Sequence, residues 1–228
     1  MLEKIAKKVA ENYDSVRNYY FSKSNDEILR EAKNENKYDN VDVFISNGML
    51  YEEINFRRFR VTTVLNYIFN GGNFGNIVGI LDNNGKIKLY EKSYPNQIRK
   101  RMIGTKLHEI AEEYASKLDD FKVEESLSAE IDGDTVVGRL DLVHKDENPT
   151  IIDIKTGKLH EDLTKIQLAV YTYMYSKKYG MDGKKINVAI VHPEGIYKDV
   201  YGTNEVKKYL RVFIDAKREM KKELSEGK

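Results

Sequence analysis

Apolar residues recur along the chain at two different spacings, and the change from one to the other marks the elements. Leu2, Ile5, Val9, Tyr13 and Val16 fall three or four apart, which predicts a helix over residues 2–20. A second, short helix is expected from Asp26 to Lys33, followed by the polar loop "NENKYDN". In "VDVFISNGMLYEEINF" two β-rich runs flank Asn47-Gly48, the pair preferred in a type I′ turn, so this stretch predicts a hairpin. "VTTVLNYIF" reads as a short helix capped by Thr62 or Thr63. "GGNFGN" (71–76) reads as a loop, and "IVGIL" and "KIKLY" as a second hairpin around "DNNG".

The second half is patterned more strongly. A long helix is predicted from Asn96 to Lys117, its buried stripe made by Ile103, Leu107, Ile110, Ala111, Tyr114 and Leu118. Three strands follow, Val123–Ile131, Val136–Val143 and Thr150–Lys155, joined by the turn-forming segments "DGD" and "HKDENP". A helix from His160 to about Tyr179, strands near Lys185–Val191 and Ile196–Val200, and a helix over Asn204–Leu224 complete the chain. This order predicts an α/β fold with a mixed central sheet flanked by helices.

Composition narrows the function classes. A chain of 228 residues is long enough for one sizeable core. It shows no internal repeat or low-complexity linker, so one domain is expected. Its 38 basic and 37 acidic side chains leave a net charge of +1, so any basic surface must be local rather than global. The absence of cysteine excludes disulfides, zinc–thiolate sites and iron–sulfur clusters. No apolar run approaches the roughly 20 residues that span a bilayer. The first residues, amphipathic but rich in acids and lysines, lack the apolar stretch of a secretion signal. A cytoplasmic protein without membrane partners is therefore expected.

Candidate chemistry lies in "GRLDLVHKDENPTIIDIKTGK" (138–158). Residues two apart in a strand share a face, so Asp153 and Lys155 project to one side and Ile152 and Ile154 to the other. If the strands pair around the 144–149 turn, Asp141 comes near Asp153. Two close carboxylates resist ionisation unless a cation compensates, and a hard divalent ion with oxygen ligands is the natural one. A protonated Lys155 beside it would stabilise an attacking hydroxide or a developing phosphorane. The plain alternative is an exposed sheet-face ion pair worth at most about 1 kcal/mol. Against it, Thr150-Ile151-Ile152 reads as a doubly buried strand, a costly setting for idle charges. Gly138 removes a side chain where another backbone or a ligand can approach.

"GRLDLV", "IIDIKTGK" and "QLAVYTYMY", preceded by "GTKLHEIAEEY", together resemble the PD-(D/E)XK nuclease superfamily. The likeness is to its RecB-like exonuclease branch, which includes CRISPR-associated adaptation nucleases. It covers about residues 100–180 and supplies, in order, a helix histidine, Gly-x-x-Asp, Asp-x-Lys and Gln-x-x-x-Tyr. It implies a restriction-endonuclease-like core at about 96–200, N-terminal additions over about 1–95 and a closing helix at 203–228, together a single nuclease domain. Further implied are a metal site of His108, Asp141, Asp153 and the Ile154 carbonyl, and catalytic roles for Asp141, Asp153, Lys155, Gln167 and Tyr171. The ion would be Mg²⁺ or Mn²⁺, with imidazole moving the preference toward Mn²⁺. The implied activity is hydrolysis of DNA leaving 5′-phosphate ends, with room for a homo-oligomer and for a separate helicase or recombination partner. His108 at a plain helix edge, and Tyr171 packed on the sheet, are the bland alternatives.

Other residues are weighed against that set. Glu112 shares a helix face with Gly104 and His108 and reads as a neighbour of the site or as solvated. It stands where a zinc-protease helix has its second histidine, which removes that reading. Lys158 and Arg101 are the foremost candidates for contact with nucleic acid, with Arg57, Arg58, Arg60, Arg99 and Lys100 in the same basic set. Tyr67, Phe69 and Phe74 could stack bases, although core packing is the ordinary use of such residues. Glu124, Glu125 and Glu130 are left outside the core set. The chain has neither the iron–sulfur cysteines of many RecB-like relatives nor a P-loop, and its first hundred residues carry no motif. The rival to an enzyme is a non-catalytic nucleic-acid-binding or recombination-accessory protein on the same fold.

Overall fold

The computed structural model describes residues 1–35, 42–53, 59–72, 77–81 and 87–226. Helices α1 (Leu2–Ser22) and α2 (Asn25–Glu35) open the chain. Strands β1 (Val43–Ser46) and β2 (Met49–Glu53) follow, turning at Asn47 and Gly48, whose φ angles of 50° and 69° are those of the expected type I′ turn. Strand β3 (Phe59–Arg60) runs directly into α3 (Val61–Phe69). Arg60 therefore takes the cap position and no side chain caps the helix, so Thr62 and Thr63 are not its caps. Strands β4 (Ile77–Leu81) and β5 (Ile87–Ser93) join β1 and β2 in a four-stranded antiparallel sheet of order β1-β2-β5-β4. The turn "DNNG", Asn36–Asn40 of the first polar loop, and residues 73–76 of the glycine loop lie outside the described residues.

Helix α4 (Pro95–Ala115) starts with proline at its first position, and Gln97 Oε1 accepts the Tyr94 amide at 2.9 Å. Its buried side is Ile98, Met102, Ile103, Leu107, Ala111 and Ala115; Ile110 and Tyr114 are only half-buried, because the stripe rotates along so long a helix, and half-buried Leu118 lies past its end. Strands β6 (Phe121–Ile131), β7 (Asp134–His144) and β8 (Thr150–Ile154) form the expected meander. Helix α5 (Glu161–Tyr179) has acids in its first turn, lysines in its last, and a left-handed Gly180 after it. Strands β9 (Ile186–His192) and β10 (Gly195–Tyr201) and helix α6 (Thr203–Glu226) complete the chain.

The central sheet runs β10-β9-β8-β7-β3, with β6 on β7's other edge. It is mixed: β8 is parallel to β9 and antiparallel to β7. Helices cover both faces. On one, Ile151, Val143 and Val188 pack with α3, α5 and α6; on the other, Ile152, Ile154, Ala189 and Val191 pack with α1 and α4. The predicted α/β architecture with a helix-flanked mixed sheet is the one observed. A third cluster joins α1, α2 and α4 to Leu50 of the small sheet. Arg99 is buried in that region, its guanidinium donating to the Tyr20 and Lys23 carbonyls at the end of α1. It holds the helix end and is not free for a phosphate.

One topological feature positions everything that follows. β6 pairs with one edge of β7 along its whole length except at Glu124 and Asp141. The other edge is shared, with Leu142–His144 taken by β8 and Val136–Val137 by β3. Between them, Gly138–Asp141 have no strand partner on that edge among the described residues. The ends of β3 and β8 meet head to head there, and the chain turns away from the sheet into α3 on one side and toward α5 on the other.

Candidate active site

Asp141 lies at this gap. β8 stops pairing with β7 at Ile152, and the Asp141 Oδ2 fills the opening by accepting the Ile154 amide at 2.7 Å. Helix α4 crosses the same point. Gly104 lets it approach, since a Cβ there would sit 3.2 Å from Thr156 Oγ1. One turn on, His108 Nε2 stands 2.7 Å from the Ile154 carbonyl oxygen and Nδ1 stands 3.6 Å from Asp141 Oδ1. A carbonyl only accepts, so Nε2 is the protonated nitrogen in this arrangement. His108, Asp141 and the Ile154 carbonyl, named on separate elements, thus meet.

Asp153 and Lys155 share a side of β8, as alternation requires. Lys155 Nζ is 2.9 Å from Asp153 Oδ2 and donates to Gln167 Oε1 on α5 at 2.8 Å. The Tyr171 phenol lies close to the Gln167 side chain and the Arg139 backbone, and burial, above all, pushes it up. The lysine approaches Asp153 within ion-pair range but off the angle of a hydrogen bond, and this buried Oδ2 has no hydrogen-bond donor. A buried carboxylate oxygen without a donor is costly.

The charges are unevenly settled. Burial works against ionised Asp141, but the His108 imidazole 3.6 Å away and the Ile154 amide outweigh it and hold this carboxyl below its usual range. Burial pushes Asp153 up, and the neighbouring Asp141 adds to that despite Lys155. Burial also opposes the Lys155 ammonium, yet the two carboxylates more than offset it and raise its pKa. His108 is raised in the same way, against its burial, by Asp141 and Asp153. Asp141 is held ionised, whereas burial keeps Asp153 raised even with the Lys155 ammonium beside it. The His108 ring nitrogen, the Asp141 carboxylate and the Ile154 carbonyl that come together beside this pair are donors that fit a divalent cation.

Glu112 belongs to this cluster as well. One ligand atom each from His108, Glu112 and Asp141 lies within 4.8 Å of the others. Burial raises the Glu112 carboxyl, and the charges of Glu124 and Asp141 raise it further. The i, i+4 spacing with His108 was the signal for it in the sequence; what spacing alone could not give was the direction in which that face of α4 points. Of the other acids, Glu124 pairs with Arg139 at 2.7 Å, Glu125 binds Lys178 and Tyr179, and Glu130 accepts from Thr135.

The remaining candidates separate. Lys158 is exposed on the loop that follows Lys155, close to the gap. Arg101 is on α4 but turned to the small sheet, where it pairs with Glu52 at 2.5 Å. Lys100 is exposed, and Arg57, Arg58 and Phe74 lie outside the described residues. Tyr67 is buried in the core, whereas Phe69 is 56% exposed, so core packing is not its use. No helix among the described residues is long and apolar enough to cross a membrane.

Comparison with known proteins bears on the chemistry of this cluster. No curated protein matches the chain. Among solved structures, SSO0001 is similar over 84% of this chain and 84% of its own, at 16% identity and a TM-score of 0.47. A protein from Eubacterium rectale named as a candidate exonuclease is similar over 70% of this chain and 65% of its own, at 16% identity and a TM-score of 0.35. VC1899 from Vibrio cholerae is similar over 94% and 55%, at 13% identity and a TM-score of 0.35. These likenesses carry no weight in the assignment, which rests on a family model matching residues 86–226, well over half of the chain. That span holds β5 to α6 and every residue of the cluster just described, and by it the chain belongs to the PD-(D/E)XK nuclease superfamily.

Proposed function

We propose that the protein is a metal-dependent deoxyribonuclease of the RecB-like branch, and that residues 1–228 work as one nuclease domain. The observation that carries this reading is the convergence of His108, Glu112 and Asp141, one ligand atom of each within 4.8 Å of the others, at the Ile154 carbonyl, with the buried Asp153–Lys155 pair on the adjoining end of β8. His108, Asp141, Asp153 and the Ile154 carbonyl would hold Mg²⁺ or Mn²⁺, with Glu112 beside them. Bound there, the ion supplies Lewis-acid polarisation of the scissile phosphate and acidifies the attacking water.

The chain's own residues do the rest. Asp141 fixes the His108 ring and, through the Ile154 amide, the end of β8. The Lys155 ammonium faces the attacked phosphate, orients the water and balances charge that develops on the phosphoryl oxygens. Gln167 holds Lys155 on that line, and Tyr171 holds Gln167. They are positioning residues. Attack in line with the 3′ oxygen leaves a 5′-phosphate.

The test is digestion of end-labelled linear and circular DNA, single- and double-stranded, with matched RNA, in Mg²⁺ or Mn²⁺. The expected result is cleavage of DNA that vanishes in Asp153→Ala and Lys155→Ala, both still folded. A wild-type protein that binds DNA but cuts none of these would make it a binding protein on a nuclease fold, with no enzymatic role. Products with 3′-phosphate ends would overturn the proposed geometry of attack.

A further inference from the structure

A cavity of about 300 Å³ opens between α3 and the start of α5, beside Lys155 and Gln167. Lys155 and Gln167 are part of its lining. One wall is α3, through Leu65, Asn66 and Phe69; the other is the start of α5, through His160, Leu163 and Thr164. The α3 wall comes from the N-terminal part of the chain, outside the span that matches the superfamily. Phe69 is an exposed large aromatic at the rim, and its ring meets the His160 imidazole edge to face, 4.9 Å between centroids and 69° between planes. Lys158 lies at the same rim, exposed and with no ion pair among the described residues.

We propose that this cavity is a nucleobase pocket. It receives one unpaired base of the strand being cut, next to the phosphate that faces Lys155, so the substrate is single-stranded DNA or a frayed end rather than closed duplex. The inference rests on the nuclease reading and deepens it. Volume sets the occupant: at the lower end of the roughly 300–1,000 Å³ of small-molecule sites, the cavity takes one planar ring system and not a stacked base pair. Its chemistry agrees. Leu65 and Leu163 offer apolar contact to ring faces, and Phe69 with His160 offers an aromatic platform of the kind single strands stack on. The Asn66 amide and the Thr164 hydroxyl can both donate and accept at a base edge. Lys155 and Lys158 both line the cavity and can meet the phosphates that flank the inserted base.

The experiment places 2-aminopurine, whose fluorescence falls on stacking, at the terminal nucleotide of single-stranded DNA, and titrates the wild-type protein in metal-free buffer. Quenching is expected with the wild type. In Phe69→Ala it should be lost and affinity should fall about tenfold, while Phe69→Tyr restores both. Because Phe69 is at an exposed helix end, its removal leaves the core intact, and Asn66→Ala supplies a second, equally exposed probe with a smaller expected loss. Phe69→Ala that keeps wild-type quenching and affinity overturns the pocket. A protein that cuts DNA yet shows no Phe69-dependent quenching also overturns the pocket while the nuclease reading stands. A protein that quenches through Phe69 but cuts nothing supports the pocket and sinks the nuclease reading instead.

Discussion

Gly138 and Tyr171 occupy one space: a Cβ on Gly138 would lie 2.6 Å from Tyr171 Cε1 and 3.1 Å from Val61 Cγ2. The glycine of Gly-x-x-Asp and the tyrosine of Gln-x-x-x-Tyr, 33 positions apart in the chain, are therefore one packing unit. The approach that Gly138 permits is that of a side chain, not of backbone or ligand. Tyr171 lies one turn beyond Gln167 on the same face of α5, and Gln167 holds Lys155.

Gly138→Ala should accordingly destabilise the protein by about 1–3 kcal/mol, the ordinary range for overpacking a core. Its effect on cleavage should exceed that, since a displaced Tyr171 releases Gln167 and Lys155. Denaturant midpoints measured beside turnover decide it. Tyr171→Leu in the Gly138→Ala background should recover part of the stability and none of the activity. Full activity in Gly138→Ala would separate Tyr171 from the lysine.

Glu124 carries a second strain. It sits within β6 opposite Asp141 with φ at 52°, a left-handed conformation that costs a non-glycine residue about 1 kcal/mol or more. The pairing count is the same on both sides of it, yet the faces exchange. Phe121 and Val123 pack on the α1–α4 side, while Leu127 and Ile131, of the same parity, pack on the α5–α6 side. Asp141 is at the pivot of the same exchange in β7, between Leu140 and Leu142. Glu124→Gly should keep the fold and the pivot, whereas Glu124→Val, forced into a region closed to β-branched residues, should lose about 1–2 kcal/mol and weaken metal binding. Equal behaviour of the two variants in thermal melts would remove the pivot from the account.

This exchange shows where a sequence stops being readable. The helices, the Asn47-Gly48 turn, the meander and the convergence of Asp141 with Asp153 were legible because each follows from a local period or a turn dipeptide. Strict alternation, however, puts Val123 and Leu127 on one face, and a single left-handed residue reverses that with no mark in the pattern. β3 was invisible for another reason: two residues carry no period at all. The distinction between an aromatic in the core (Tyr67) and one at a rim (Phe69) depends on how α3 rotates against the sheet. Tertiary packing decides that. The motifs located His108, Lys155, Gln167 and Tyr171 together, but the physical link among them, Asp153–Lys155–Gln167–Tyr171, needed the fold.

Away from the site, Lys217 on α6 is wholly buried, with its ammonium bound to Asp134 and to the Asp132 carbonyl at 3.3 Å. Arg218 and Lys221 add ion pairs to the same β6–β7 turn. Asp134 is opposed by burial but bonds to Lys217 and Lys221 lower its pKa below the ordinary aspartate value, and Asp132 is lowered by Arg218. A carboxylate depressed in the folded state contributes stability that is complete above its unfolded pKa and lost as pH falls through its folded one. Stability should thus decline below about pH 4. Asp134→Ala strands the Lys217 charge except for Asp132, and should cost roughly 2–3 kcal/mol at neutral pH and flatten the acid limb. Urea melts from pH 3 to pH 7 measure both, and an unchanged acid limb in the variant would place the acid sensitivity elsewhere.

A divalent ion that binds only the folded chain must raise its Tm, and for a domain of this size saturation to 100 times Kd should give about 5–10 °C with Mn²⁺. His108→Ala and Asp141→Asn should abolish the shift. Glu112→Gln, beside the ligands, should weaken Mn²⁺ about tenfold or more without unfolding the protein. The pH dependence has a fixed sign. In the metal-free protein His108 has a raised pKa because Asp141 and Asp153 favour its imidazolium, so a proton competes with the ion for this ring. The Mn²⁺-induced shift should therefore shrink as pH falls from about 8 to 6. Calorimetric titration should show proton release on binding in that window, larger in wild type than in His108→Gln. A shift that grows toward pH 6 would mean that His108 stays protonated in the metal complex, leaving the carboxylates and the Ile154 carbonyl as the ligands.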